Sequence, residues 1–469
     1  MTSEQQRILE LEDKNLRLEL MNRTLIQENQ QLKSEVFELK TLVTKLINEV
    51  ETLKHRKNSR NSSVPPSKDE NRPKKNQSLR TSSGKKPGGQ QGHKGNTLRM
   101  TENPDTILDH KPCYCNHCGA GIAETSLVLK SRRQVLDIPP IRPHYTEHRS
   151  YQGTCSCGQT TTASFPAGVN SPISYGPNIE SLVAYMHARQ YIPYERAAEY
   201  FKDVHNVNIS QAGINNIIER FSLKASRAYE LIIEKVQNSL VVGGDETGTR
   251  INGKKGWFWG WQTPNLTYVV YDKNRGKSAI DANFPQGFPN SVLVHDCWSS
   301  YFSTPAKSHQ LCTSHLLREL NFFIERYKSL WAKNFRQIIH DALDLKRKLT
   351  PSQYNNPINQ RTIVESKLDK LLHTYIPYKM KEVRTFQKRI VKNRDFLFSF
   401  LYDPWVPPDN NASERAIRNV KVKTKISGQF KSAEGAQRYA IIRSITDTCL
   451  KNFQPVLPAF LTIAKLQPE

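Results

Sequence analysis

The chain has 469 residues, 37% of them hydrophobic, and its 68 Lys and Arg against 44 Asp and Glu leave a net charge of +24. At roughly 100 to 200 residues per domain this length predicts about two to four domains, and the apolar fraction suffices for at least one sizeable core, which excludes a wholly disordered chain. No run approaches the roughly 20 apolar residues of a spanning helix, the N-terminus lacks an apolar signal segment, and eight Cys are too few for a disulfide scaffold, so a cytoplasmic protein with no membrane partner is expected.

Leu recurs at 11, 18, 25, 32, 39, 46 and 53, a period of seven that reads as a coiled-coil seam over residues 1–54. With Leu at d, the a positions are Ile8, Asn15, Asn22, Asn29, Val36, Val43 and Val50. β-Branched a residues with Leu at d favour a parallel dimer, and a buried Asn at a is tolerated opposite another Asn, so three in succession argue for in-register pairing with a second copy. A homodimer or higher oligomer is expected. Residues 55–100 change to Asn, Ser, Pro, Gly and Lys, with twelve Lys and Arg against Asp69 and Glu70. This is a flexible basic linker, suited to salt-dependent contact with phosphates.

Residues 101–169 hold Cys115-Asn-His-Cys118 and Cys155-Ser-Cys157, joined by a segment with strand-like alternation (SLVLKSRRQVLDIPPIRPHYTEHRSYQG). Two close thiol pairs match one structural zinc ion in a finger-like module, with Cys115, Cys118, Cys155 and Cys157 as ligands. Cys113, His110 and His117 are spare donors, so the fourth ligand stays open. Residues 170–238 read as short amphipathic helices, one near Tyr194 to Phe201 and a second after Ser210 as N-cap, in the shape of a helix-turn-helix that suits DNA.

After Asn238 the pattern turns to β: SLVVGGDETG, GWFWGWQT and LTYVVYDKNRG, a short helical connection, then SVLVHDCWSSY. Three sequential strands, a helix and a fourth strand predict an α/β sheet whose first and fourth strands end on Asp245 and Asp296. Acids at carboxyl edges face a shared site. A third, Glu414 in PPDNNASERAIRNVKVK, sits at a helix start, since Pro407 and Pro408 preclude a helix before it. Three carboxylates suit two divalent ions, Mg²⁺ or Mn²⁺, in displacement at phosphorus. Spacing alone is weak evidence, because Asp272, Asp281, Asp403 and Asp409 are equally available.

GGDETG, VHDCWSSY, LCTSHLLREL and DNNASERAIRNVK, in this order, resemble the DDE transposases of the insertion sequence sixty-six family. The likeness extends to NSRNSSVPPSKD and GKKPGGQQGHKG in the linker, to IPYERAAEYF, and to KISGQFKSAEGAQRYAIIRSITDTCLKN. It implies a ribonuclease H-like catalytic domain over 239–320 and 401–469, a helical insertion over 321–400, and Asp245, Asp296 and Glu414 as the catalytic, metal-binding acids. It further implies a bacterial, nucleoid-associated transposase that binds the ends of its element and target DNA, cleaves and transfers strands with two Mg²⁺ per site, and works with accessory proteins of the same element. Cys312 and His315, with Arg318 one turn along, are expected to orient the active-site edge or touch DNA. The basic helix carrying Arg415, Arg418, Lys421, Lys423 and Lys425 is expected to meet phosphates, although the Thr424-Lys425-Ile426-Ser427-Gly428 run departs from the commoner family pattern. The rival reading is a DNA-binding regulator with an inactive catalytic domain. Against it, the basic segment follows the zipper and is broken by Pro65, Pro66, Pro73 and Pro87, whereas a basic zipper needs a continuous basic helix ahead of the coil.

Overall fold

The computed structural model describes residues 2–54, 57–58, 61–62, 69, 92, 98–139, 141–166, 168–169 and 171–467. The expected basic linker, with its two family-like runs and its prolines, lies mostly outside the described residues. The chain divides into two compact units, Met1–Pro73 with His148–Ala198 and Ser210–Glu469 in one, and Lys74–Glu147 with Glu199–Ile209 in the other.

In the smaller unit the described residues 98–139 and 141–147 contain a bridge between Tyr114 and Gly121 and a single 3₁₀ turn at Glu124–Ser126. The strand-like alternation after Ser126 does not become a sheet. Val128, Leu129, Val135 and Leu136 are all exposed, so no apolar face covers the pattern and nothing rewards pairing. The short strands β1 (Gln152–Thr154) and β2 (Thr160–Thr162), which belong to the larger unit, form one antiparallel hairpin around Cys155.

The larger unit begins with one uninterrupted helix, α1 (Ser3–Lys54), free of Gly and Pro. Its seven heptad Leu are 47 to 59% exposed, a seam with nothing packed on it among the described residues. Four helices follow in the chain: α2 (Pro177–Ala188), opened by a proline at its first turn, α3 (Tyr194–His205), whose residues from Glu199 on count with the smaller unit, α4 (Gln211–Lys224) and α5 (Ser226–Gln237). Ser210 caps α4 as expected, accepting the Gly213 N–H at 3.0 Å, while α3 runs beyond Phe201 to His205.

The core of this unit is a five-stranded mixed sheet, ordered β5-β4-β3-β6-β7. Its strands are β3 (Val241–Ile251), β4 (Lys254–Gln262), β5 (Thr267–Asp272), β6 (Phe288–His295) and β7 (Ala306–Leu311). The first three run antiparallel, and β6 and β7 continue parallel to β3. α6 (Lys277–Asn283) and α7 (Ser299–Phe302) lie in the connections flanking β6.

Two corrections to the sequence reading follow. Strand β3 does not end at Asp245 but continues to Ile251, because the chain reverses at Asn252-Gly253, where both residues take the positive φ of a tight hairpin turn. The fifth strand, in the polar segment AKSHQL, was hidden because only its last three residues are buried.

A helical segment follows: α8 (Thr313–Tyr327), α9 (Leu330–Lys348), α10 (Pro351–Tyr354), α11 (Asn359–Leu372) and α12 (Lys381–Lys392). Its apolar faces share one core with Val241, Val292, Val294 and Leu311 of the sheet. The chain then returns through α13 (Asn411–Ser427), α14 (Ala433–Lys451) and α15 (Val456–Ala464). Among the described residues no helix is long and apolar enough to cross a membrane.

Candidate active site

Asp245 lies in β3 directly opposite Gly260 of β4. A side chain at Gly260 would come within 3.0 Å of Ile417, so the glycine lets α13 pack against the face that carries Asp245. Two more glycines precede the acid, Gly243 making room for α13 on the same face and Gly244 making room for buried rings on the opposite face. A Cβ on Gly243 would stand 2.6 Å from Ser413 Oγ, and one on Gly244 2.8 Å from the Trp261 ring.

Asn410, just before α13, seats the helix. Its Nδ2 donates to the Gly244 carbonyl at 2.6 Å, its Oδ1 accepts from Ser413 Oγ, and its N–H donates to Cys312 Sγ at 3.2 Å. One turn into α13, Glu414 accepts from Arg318 Nη2 at 3.0 Å, with His315 Nε2 3.6 Å away. Burial lowers the His315 pKa to about 4, so the imidazole is neutral at pH 7 and Arg318 is the cation of the pair. Asp296 follows β6 and accepts the Trp298 N–H at 3.0 Å.

Burial above all, and then the charges of Glu246, Asp296 and Glu414, push the Asp245 carboxyl well above the usual carboxylate range. Asp296 is raised to about 6, again by burial first and Glu246 second. Neither has an ion-pairing cation among the described residues, and each accepts one backbone N–H, Asp245 from Glu246 at 2.9 Å. The flanking acids do have partners: Glu414 has Arg318, Glu246 has Arg275 at 2.8 Å, and Glu319 has Arg389 at 2.8 Å. The two strand acids are therefore short of positive charge. Among the described residues, no group of three or more His, Cys, Asp and Glu side chains converges closely enough to hold a metal ion as it stands.

The other predicted residues fall as follows. Cys312 is buried, with a thiol that burial pushes up to about 11 and that receives the Asn410 N–H, a packing role at the base of α13. Arg415 and Arg418 are exposed on α13. Lys423 is not part of that exposed basic face: it is 3% exposed and donates to His187 Nδ1 at 3.4 Å. The competing acids do local work, Asp272, Asp403 and Asp409 accepting backbone N–H groups two residues on and Asp281 pairing with Lys277. Sequence reasoning missed Glu246 and Asn410, although both stand inside the quoted motifs, GGDETG and DNNASE.

The cysteines sit in two tight turns, each described by itself. In Cys115–Gly119, Gly119 N–H donates to the Cys115 carbonyl at 2.9 Å, and the backbone N–H groups of Cys118 and His117 lower the Cys115 thiol pKa. In Cys155–Gly158, Gly158 N–H donates to the Cys155 carbonyl at 2.8 Å, and the Cys157 N–H lowers the Cys155 thiol pKa. Both turns place glycine in the left-handed region.

The fold and the site together define an α/β protein with a group of buried acids on a mixed sheet. The family model for the Transposase IS66 family matches residues 172–438, more than half of the chain, and the chain belongs to that family. A family of unknown function matches residues 7–99. No curated protein matches the chain.

Proposed function

We propose that this transposase binds the terminal inverted repeats of its element and catalyses metal-dependent cleavage and strand transfer, with Asp245, Asp296 and Glu414 as the catalytic acids. The observation that carries this is the pair of buried acids at the sheet: burial raises the pKa of both, Asp296 adds to the rise at Asp245, and neither forms an ion pair among the described residues. All the donors are hard carboxylate oxygens, which fits Mg²⁺ or Mn²⁺. Two such ions would make a water or 3′-hydroxyl nucleophilic and steady the leaving oxygen at phosphorus.

The chain's own residues supply the frame. Asn410 with the open space at Gly243 and Gly260 seats α13 against the sheet, Arg318 and neutral His315 hold Glu414, and Arg275 with Tyr301 holds the Glu246 carboxylate. Three antiparallel strands leading into two parallel ones fit a ribonuclease H-like reading. Exposed Arg415 and Arg418 suit phosphates, as α3 and α4 suit a helix-turn-helix on DNA, and accessory proteins of the same element remain expected partners.

The test is cleavage and strand transfer on labelled DNA carrying the element's end, with Mg²⁺ or Mn²⁺. Asp296→Asn should abolish nicking and keep end binding. If the wild-type chain binds ends and never cuts, or the variant cuts equally well, the acids are misassigned and the regulator reading replaces this one.

We further propose that Cys115 and Cys118 in one turn, and Cys155 and Cys157 in the other, supply thiolates to structural zinc, supported by the backbone N–H groups that favour the thiolate in each turn by itself. The purified chain should then contain about one zinc per chain, lost in Cys118→Ser. Elemental analysis finding none in the wild type would remove the metal.

A further inference from the structure

Trp257 lies on β4 opposite Gly248, its ring resting over that glycine. It shares a sheet face with Glu246, and its indole is half-buried. Lys255 Nζ stands 4.9 Å from the ring centroid, and Arg275 Cζ stands 4.9 Å from it on the way to Trp298, which the same guanidinium approaches at 4.4 Å. Trp298 stacks in turn on buried Trp259 and gives its backbone N–H to Asp296. Cations and indoles therefore alternate from the β3–β4 hairpin to the edge of the acid site.

The hairpin end of this strip is unfavourable in isolation. Arg250 and Lys255 face each other directly across the antiparallel pair, both exposed and neither with an ion pair among the described residues. Like charges directly opposed destabilise a strand pair. An anion lying over them would offset that cost.

We infer that Lys255, Trp257, Arg275 and Trp298 hold unpaired nucleotides of the DNA strand beside the scissile phosphate. Lys255 would meet a phosphate, Arg275 on Glu246 would brace the two indoles, and the Trp257 indole offers a stacking face that only an unpaired base can use, since bases inside a duplex already cover one another. This strip deepens the transposase reading and rests on it for the identity of the strand.

The test is fluorescence anisotropy of the full-length chain in EDTA, so that nothing is cut, with fluorescein-labelled oligothymidine and a duplex of equal length. Trp257→Ala should weaken single-strand binding about 5- to 100-fold and leave duplex binding within about twofold, with Trp257→Phe restoring most of the loss. Lys255→Ala, which spares the fold, should lower the salt dependence on the single strand by about 0.7 in log–log slope. Equal weakening of both DNAs by Trp257→Ala, or no change with either substitution, overturns the inference. Because no chemistry is required, the strip stands if Asp296→Asn cuts DNA normally, and falls independently if that variant is dead but single-strand binding ignores Trp257.

Discussion

Gly244 shows how little room one residue next to the site has. A methyl group there would lie 2.8 Å from Trp261 and 3.0 Å from Tyr301, both fully buried rings. Neither can swing away, because Trp261 is packed against Phe284, Phe288 and Tyr301, and the Tyr301 hydroxyl donates to Glu246 at 2.8 Å. Gly244→Ala should therefore destabilise the chain by about 1 to 3 kcal/mol, read as a lower thermal midpoint by calorimetry, and an unchanged midpoint would show that the cluster yields. The sequence displayed the GGD run but not its cause. For Gly244 the reason is Trp261 standing opposite on β4 and for Gly243 it is the start of α13 packed over it, and neither register nor packing is written in the strand alone.

At the scale of the element, α13 is fastened at both ends to the strand that carries Asp245. Asn410 bonds the Gly244 carbonyl at its start, and beyond its end Phe430 exchanges backbone hydrogen bonds with Arg250 and Asn252. Its start was legible from Pro407-Pro408 and the polar residues after them. Its buried face was not, because helical spacing alone puts Lys423 with the other basic residues, whereas packing from both the sheet and α2 encloses it beside His187.

Burial lowers the Lys423 pKa to about 8, against about 10.4 for an unfolded lysine. Between those values the unfolded chain holds more protons than the folded one, so stability should rise as pH increases from about 8 to about 10. Below pH 8 the full cost of burying the charge applies. Lys423→Met should flatten that rise and raise stability at pH 7 by on the order of 2 to 3 kcal/mol. Urea unfolding at pH 7 and pH 10 checks this: an identical pH slope in both chains would mean that Lys423 is not the group responsible.

For the whole molecule, α1 leaves seven heptad leucines bare along 52 residues, a cost that pairing with a second copy would remove. Removing residues 1–54 should lower the solution mass to that of a monomer by light scattering, and an unchanged mass would rule out the helix as the assembly device. The heptad was the most legible feature of the sequence because it is purely local. The alternating segment after Ser126 was the least reliable, because alternation specifies a strand only where a partner and a covered face exist. The acids fall between these cases: motif order named them, but the raised pKa of Asp245 and Asp296 comes first from burial, which no spacing reveals.

The helical segment after β7 leaves the sheet and comes back to it at nearly one point, for the Thr313 N–H donates to the Pro408 carbonyl at 3.0 Å. Topologically the segment between is a cassette, removable without stretching the chain between Asp296 and Glu414. Energetically it is a lid on the sheet, since Val241, Val292, Val294 and Leu311 lose their cover without it. Changes in the far helices of the segment therefore leave the sheet its cover, while the few side chains touching β3, β6 and β7 are bound to the fate of the sheet itself.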